Sequence, residues 1–138
     1  MSNSSERAAR KSMRKAALIT RLQDQPSRIK PEKVDALLDN GPSIVVLTRG
    51  SEGATGFLAD GTEVHVPARR VKIKDTVGAG DTFNAGLLAR LSERGCLSRD
   101  NLRDVPADVL RAALELGARV ASVTVSRAGA NPPWAEEL

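Results

Sequence analysis

The sequence predicts an α/β fold, because strand-like segments alternate with segments that have the apolar period of a helix. The first strand-like segment is the run Ser-Ile-Val-Val-Leu-Thr at residues 43–48, which is typical of a strand buried on both faces. The clearest helical period begins after Pro106. With 138 residues, of which 41% are apolar and 2% aromatic, the chain fits one domain with an aliphatic core.

The first helix is predicted to begin at Pro31, since proline is well tolerated in the first turn of a helix. Asn40-Gly41 is typical of a helix end. The apolar face of this helix is predicted to consist of Val34, Leu37 and Leu38.

A β-hairpin is predicted after the strand at residues 43–48. Residues 54–58 and 63–67 are both strand-like, and they flank Asp60-Gly61, a pair typical of a tight turn. Residues 71–74 alternate between apolar and basic side chains, which predicts one further short strand.

Two longer helices complete the prediction. One follows a glycine-rich turn and runs to about Arg94, with Gly95 as its stop. Its predicted buried positions are Ala85, Leu88 and Leu91. The other begins at Pro106, and its predicted apolar stripe consists of Val109, Ala113, Leu116 and Val120, with Leu110, Leu114 and Ala121 beside it. Residues 121–126 are expected to end in a strand or a buried turn.

Basic charge is concentrated near the start of the chain. Residues 1–33 contain nine Lys or Arg against three Asp or Glu, a net +6, whereas the other 105 residues contain twelve against fourteen, a net −2. We expect residues 1–30 to form a basic tail, partly disordered or of unrelated sequence, and residues 31–138 to form the folded part. An apolar cluster at residues 16–22 could form a short helix. Nucleic-acid binding is the alternative for this segment, but it lacks interleaved aromatic residues and a recognisable binding module.

Composition excludes several other classes of protein. The single cysteine, Cys96, leaves no internal disulfide framework and no multi-cysteine zinc site. No apolar run approaches the roughly 20 residues of a membrane span, and the first residues lack the apolar stretch of a secretory signal. We therefore expect a soluble, cytoplasmic protein without a membrane partner.

The residues with the most chemical content are Gly78-Ala-Gly-Asp81. Two glycines around an alanine allow a sharp turn that brings successive N–H groups close to a ligand. The helix that follows directs its unpaired N–H groups and positive end to the same place. This combination favours an anion such as a phosphate.

Asp81 has two interpretations that the residues alone leave equal. It can accept a proton from an attacking hydroxyl while backbone N–H groups stabilise charge on the transferring phosphoryl group. It can also simply cap its helix, which Asp does well. Two other phosphate motifs are excluded, because a Gly-Lys-Ser/Thr ending is absent and Phe83 occupies the third-glycine position of a dinucleotide fingerprint.

The longer segment Asp75-Thr-Val-Gly-Ala-Gly-Asp-Thr-Phe-Asn-Ala-Gly86 resembles the second signature of the PfkB (ribokinase-like) carbohydrate kinases, particularly the fructokinase-like branch. Thr48-Arg-Gly-Ser-Glu-Gly53 is similar to the nucleotide-binding strand end of that family. Ser126-Arg-Ala-Gly-Ala-Asn131 resembles the segment that closes over its adenine side. The resemblance spans about residues 41–134 and implies the C-terminal portion of a ribokinase-like three-layer α/β sandwich.

The resemblance implies roles for the matching positions. Asp81 would be the general base on a sugar hydroxyl, and the amides of Gly78, Ala79, Gly80 and Asp81 would form an anion hole. The implied nucleotide-binding positions are Thr48, Gly50, Gly53, Gly80 and Ala118. The implied contacts of a potassium-like ion are Asp75, the carbonyl of Val77 and Gly129. ATP and Mg²⁺ would be required, with K⁺ as a further ion and a small sugar as substrate.

Without the resemblance, residues 48–53 are an ordinary strand-to-hairpin turn and Asp75 is an exposed loop carboxylate. The sequence also departs from the family, whose longer members have an N-terminal half that supplies the sugar pocket and lid; no segment here resembles it. We therefore expect little or no sugar kinase activity from the chain alone. The alternative is a remnant that binds nucleotide without transferring phosphate. A second copy of the chain is kept as a candidate partner.

Overall fold

In a computed structural model, which describes residues 18–19 and 31–138, the chain forms a four-stranded sheet with helices against both faces. The strands lie in the order β1 (Leu18–Ile19), β2 (Ile44–Thr48), β3 (Ala54–Leu58) and β4 (Glu63–Val66). β1 is parallel to β2, and the other two pairings are antiparallel. The helices are α1 (Pro31–Asp39), α2 (Ala79–Glu93) and α3 (Ala107–Val125).

β2 is buried on both of its faces, as the sequence predicts. Ile44 and Val46 belong to the larger core, which α2 and α3 cover. Val45 and Leu47 point the other way and pack against α1. All four side chains are at most 3% exposed, so this strand lies at the centre of the molecule.

The hairpin and the first helix also confirm the sequence prediction. β3 and β4 pair from Ala54 opposite Val66 to Phe57 opposite Glu63. In the turn between them, Asp60 Oδ1 accepts a 2.8 Å hydrogen bond from the Thr62 amide, which lowers the pKa of Asp60. Residues close in the sequence therefore form the tight turn that the Asp-Gly pair predicts.

The buried face of α2 differs from the predicted one. Ala85 and Leu88 are exposed, whereas Phe83, Leu87 and Leu91 are buried. The predicted positions have helical spacing, but the face that turns inward is set by close packing on α3. The apolar period of a sequence predicts which residues share a face of the helix, whereas tertiary contacts determine which face is buried.

α3 continues to Val125, so the strand or turn expected at residues 121–126 is wrong. Two hydroxyl groups in this stretch are satisfied within the helix: Thr124 Oγ1 donates to the Val120 carbonyl at 3.1 Å, and Ser122 Oγ donates to the Arg119 carbonyl at 2.7 Å. The β-branched side chains therefore remain in a helix, because tertiary packing outweighs their weak preference for strands.

The strand predicted at residues 71–74 is also wrong. The amides of Lys74 and Asp75 both donate to the Val125 carbonyl, at 2.7 and 3.2 Å, so the segment is directed to the end of α3. Val71 and Ile73 remain exposed. The alternating pattern alone therefore does not form a strand here.

The predicted tail, residues 1–30, lies outside the described residues except for Leu18 and Ile19. These two form a strand beside β2, where the cluster at residues 16–22 suggested a helix. Pairing satisfies the backbone hydrogen-bonding groups at the edge of β2, which explains why these residues form a strand and not the expected helix. In the part of the chain that the structure describes, no helix has the length and apolar character needed to cross a membrane.

Candidate functional site

The candidate site is built around the turn that begins α2. Gly78 occupies the position before the first residue of the helix, with φ of 79° and ψ of 1°, a left-handed conformation that glycine adopts most readily. A Cβ atom on Gly78 would lie 3.0 Å from the Cβ of Ala130. Both the turn and the approach of the second loop therefore favour glycine here.

Some backbone N–H groups at this turn are paired and others have no helical partner. The Ala79 amide donates to the Thr76 carbonyl at 3.3 Å, and the Thr82 amide donates to the Gly78 carbonyl at 2.9 Å. The amides of Gly80 and Asp81 lie in the first turn of α2, where a helix offers no carbonyl partner to its N–H groups. These two donors and the positive end of the helix make the turn suitable for an anion.

Asp81 is exposed and is the third residue of α2. The capping position is Gly78, and no side chain donates or accepts a hydrogen bond as a cap there. A carboxylate in the first helical turn still interacts favourably with the helix dipole. The capping alternative is thereby reduced to this weak interaction, and the side chain is accessible to a substrate hydroxyl.

Asp75 connects the glycine turn to the loop after α3. Its Oδ1 accepts a hydrogen bond from the Val77 amide at 2.9 Å, and its Oδ2 accepts one from the Gly129 amide at 3.1 Å. These N–H groups, Val77 first and Gly129 second, hold the pKa of Asp75 below its ordinary value. The three residues assigned to a potassium-like ion are therefore neighbours.

The fit of an ion to these three residues is partial. Asp75 offers two carboxylate oxygens, the ligand type that hard cations prefer. Gly129 presents its N–H to that carboxylate, and its carbonyl accepts from the Asn131 amide at 3.0 Å. Among the described residues, no group of three or more His, Cys, Asp or Glu could hold a metal ion. The ion therefore remains a prediction.

The residues assigned to the nucleotide lie at the end of β2. A short 3₁₀ turn spans Gly50–Glu52, and the Arg49 amide donates to the Gly53 carbonyl at 2.8 Å. Gly53 has φ of 95°, and a Cβ there would lie 2.1 Å from the Val66 carbonyl oxygen. Among the described residues, no backbone-to-backbone hydrogen bond connects this turn to Gly78. Ala118 lies half-buried on α3, packed against the larger core.

Two polar residues near the site have no role in the sequence prediction. Arg127 and Glu137 form an ion pair with an N–O distance of 2.6 Å, at the ends of the segment that contains Gly129 and Ala130. A separation of ten residues is longer than the three or four residues at which side chains meet along a helix, so the sequence carries no local signal for this pair. The sequence likewise gives no signal that the Val125 carbonyl accepts a hydrogen bond from the Asp75 amide.

Comparison with known proteins gives a consistent result. Residues 14–137 match the model of the pfkB family carbohydrate kinases. The chain is 45% identical over 74 residues to a fructokinase from Rhizobium leguminosarum bv. trifolii, a match that covers 54% of this chain and 22% of that protein.

Among solved structures, an aminoimidazole riboside kinase from Salmonella enterica, complexed with aminoimidazole riboside and an ATP analogue, superposes with a TM-score of 0.60 at 32% identity, covering 72% of this chain and 30% of that one. A double mutant of fructokinase from Vibrio cholerae O395, with fructose, ADP and potassium ion bound, gives a TM-score of 0.61 at 27% identity, covering 75% and 31%. The chain thus spans about a third or less of these relatives and has part of the ribokinase-like α/β fold. By sequence and by fold, it belongs to the pfkB family of carbohydrate kinases.

Proposed function

We propose that this chain carries the phosphoryl-transfer part of an ATP-dependent kinase that acts on a hydroxyl group of a small, fructose-like sugar. Asp81 is the general base. The amides of Gly78, Ala79, Gly80 and Asp81 are the anion hole, in which the Ala79 amide exchanges its 3.3 Å hydrogen bond to the Thr76 carbonyl for one to the anion. Thr48, Gly50, Gly53 and Ala118 contribute to the nucleotide side. Asp75, Val77 and Gly129 contribute to a potassium site.

In the proposed reaction, the Asp81 carboxylate accepts the proton of the sugar hydroxyl as its oxygen attacks the γ-phosphorus of ATP. The bond between that phosphorus and the β,γ-bridging oxygen breaks, and ADP leaves. The amides at the start of α2 stabilise the negative charge of the transferring group. Mg²⁺, when bound with ATP, neutralises phosphate charge, and none of the described residues is assigned to hold it.

The observation that supports this proposal most directly is the placement of Asp81. It is exposed within the first turn of α2, beside amides that lack helical partners and one residue beyond the glycine pair. A carboxylate has little structural use at a phosphate-binding turn, since like charges repel. A proton acceptor is needed at that place if a hydroxyl is to attack the phosphate.

A chimera tests the proposal. Residues 31–138 replace the corresponding part of the Rhizobium fructokinase, which supplies the remainder of the fold. The chimera is expected to phosphorylate fructose with ATP, and D81N is expected to lower its kcat by about 10²- to 10⁴-fold. D108N is the matched control, because Asp108 is the acidic residue in the first turn of α3. A D81N chimera with the kcat of the D108N chimera would contradict the assignment.

The second candidate is a nucleotide-binding remnant without catalysis. The specific observation that favours it is the short span of the match, 22% of the fructokinase. Under this alternative, the isolated chain binds Mg·ATP and does not turn over with any sugar. A coupled assay of the chimera with ATP, Mg²⁺ and a panel of hexoses separates the two, since turnover that D81N abolishes is expected only if these residues transfer phosphate.

A further inference from the structure

The end of the described chain folds back as a clasp, formed by Arg127, Trp134 and Glu137. Arg127 donates two hydrogen bonds to the Glu137 carboxylate, Nη2 to Oε1 at 2.6 Å and Nη1 to Oε2 at 3.3 Å. Glu137 Oε2 also accepts a 2.7 Å hydrogen bond from the Trp134 amide. Arg127 Nη1 reaches the Pro132 carbonyl at 3.4 Å. The fork of an arginine on a carboxylate fixes direction as well as distance.

The clasp closes the loop at residues 127–131, which contacts the candidate site at two points. The Gly129 amide donates to Asp75 Oδ2 at 3.1 Å. The Cβ of the next residue, Ala130, would lie 3.0 Å from a Cβ placed on Gly78. The loop therefore lies against both the carboxylate that precedes the glycine turn and the glycine that precedes α2.

The clasp contributes little to overall stability. The side chains of Arg127 and Glu137 are 29% and 39% exposed, and exposed ion pairs are worth little in free energy. Its geometry nevertheless restricts a loop without regular secondary structure. A local ordering role therefore explains the contacts better than a contribution to the core.

We infer that Arg127 and Glu137 are positioning residues for the anion-binding turn. Through the clasp they keep the Gly129 amide hydrogen-bonded to Asp75 and keep Ala130 against Gly78. These contacts fix the backbone at the start of α2, whose amides bind the phosphate. The consequence for phosphate rests on the proposed function, but the mechanical connection does not.

The test measures amide hydrogen exchange by NMR in the full chain, without ligand. In R127Q, the Gly129 amide is expected to exchange about tenfold faster or more, since the clasp that holds it on a carboxylate is lost. The Thr62 amide, which donates to Asp60 in the hairpin, is the internal reference and should not change. R111Q is the matched control, because Arg111 is an exposed arginine of α3 that donates to the His65 carbonyl.

Thermal unfolding of both variants shows whether the effect is local. Equal melting temperatures for R127Q and R111Q, with faster Gly129 exchange only in R127Q, support the positioning role. Unchanged Gly129 exchange in R127Q, or equal changes in the two variants, would overturn it.

A Mg·ATP titration then addresses the consequence. Weaker binding in R127Q than in R111Q is expected. If the unmodified chain does not bind Mg·ATP, the result counts against the proposed function. The positioning role of the clasp is then tested by the exchange measurement alone.

Discussion

Gly53 and Gly61 both have a positive φ, 95° and 92°, but different surroundings. A Cβ on Gly61 meets nothing within 4 Å, whereas one on Gly53 would lie 2.1 Å from the Val66 carbonyl oxygen. Gly61→Ala should therefore cost only the backbone strain, about 1–2 kcal/mol in the free energy of unfolding. Gly53→Ala should cost more than about 3 kcal/mol, because backbone must also move.

Urea unfolding of the two variants provides the comparison. Equal midpoints would show that the turn after β2 can open without cost, and would contradict the close approach of β4 to Gly53.

The Glu137 carboxylate gives the clasp a pH dependence. The hydrogen bond from Arg127, and then that from the Trp134 amide, hold the pKa of Glu137 below its ordinary value of 4.5. Because the folded-state pKa is the lower one, the contribution of the clasp is complete above pH 4.5 and is lost as the pH falls through the lowered value. The amide signal of Trp134, followed by NMR from pH 7 downward, should move only in that acid range. A midpoint at or above the ordinary pKa would show that the clasp does not form.

α2 and α3 approach each other closely because glycines face each other at their contact. A Cβ on Gly117 would lie 2.8 Å from the Phe83 carbonyl oxygen, and one on Gly86 would lie 3.0 Å from the Gly117 Cα. Helix propensity alone would make Gly117→Ala stabilising by about 1 kcal/mol. Since the atom nearest to that Cβ on Gly117 is a backbone oxygen, overpacking should outweigh helix propensity and destabilise the chain by about 1–3 kcal/mol.

Ala85→Gly calibrates the propensity effect on its own, because Ala85 is on the exposed face of α2. Urea midpoints of the two variants should both fall. A rise for Gly117→Ala would mean that the helices lie farther apart than in the structure.

The elements that sequence could predict are those with local signals. Pro31 and Asn40 bracket α1, and Asp60-Gly61 specifies the hairpin turn, so both match the structure. The strand predicted at residues 71–74 does not form, because the amides of Lys74 and the following Asp75 donate to the Val125 carbonyl, some fifty residues later. Likewise, the glycine turn and Asp81 could be found from the motif, whereas the ion pair between Arg127 and Glu137 depends on how the chain folds back.

At the scale of the whole molecule, the positive charge is concentrated near the start of the sequence. Residues 1–33 carry a net +6 and the remainder a net −2. The family match begins at residue 14, inside the basic segment, and β1 lies there as well. The proposal of a separate tail therefore applies most directly to the residues before 14, and deleting them should leave the urea midpoint of the chain unchanged. A lower midpoint would show that these residues contribute to the fold.

We propose that the turn at the start of α2 binds the phosphates of ATP. A titration of ¹⁵N-labelled chain with Mg·ATP tests it most directly. We expect saturable shifts of the amide signals of Gly78, Ala79, Gly80 and Asp81, with Thr62 as an unaffected reference. Binding that shifts other amides and leaves these four unchanged would contradict the claim, as would the absence of saturable shifts up to about 1 mM.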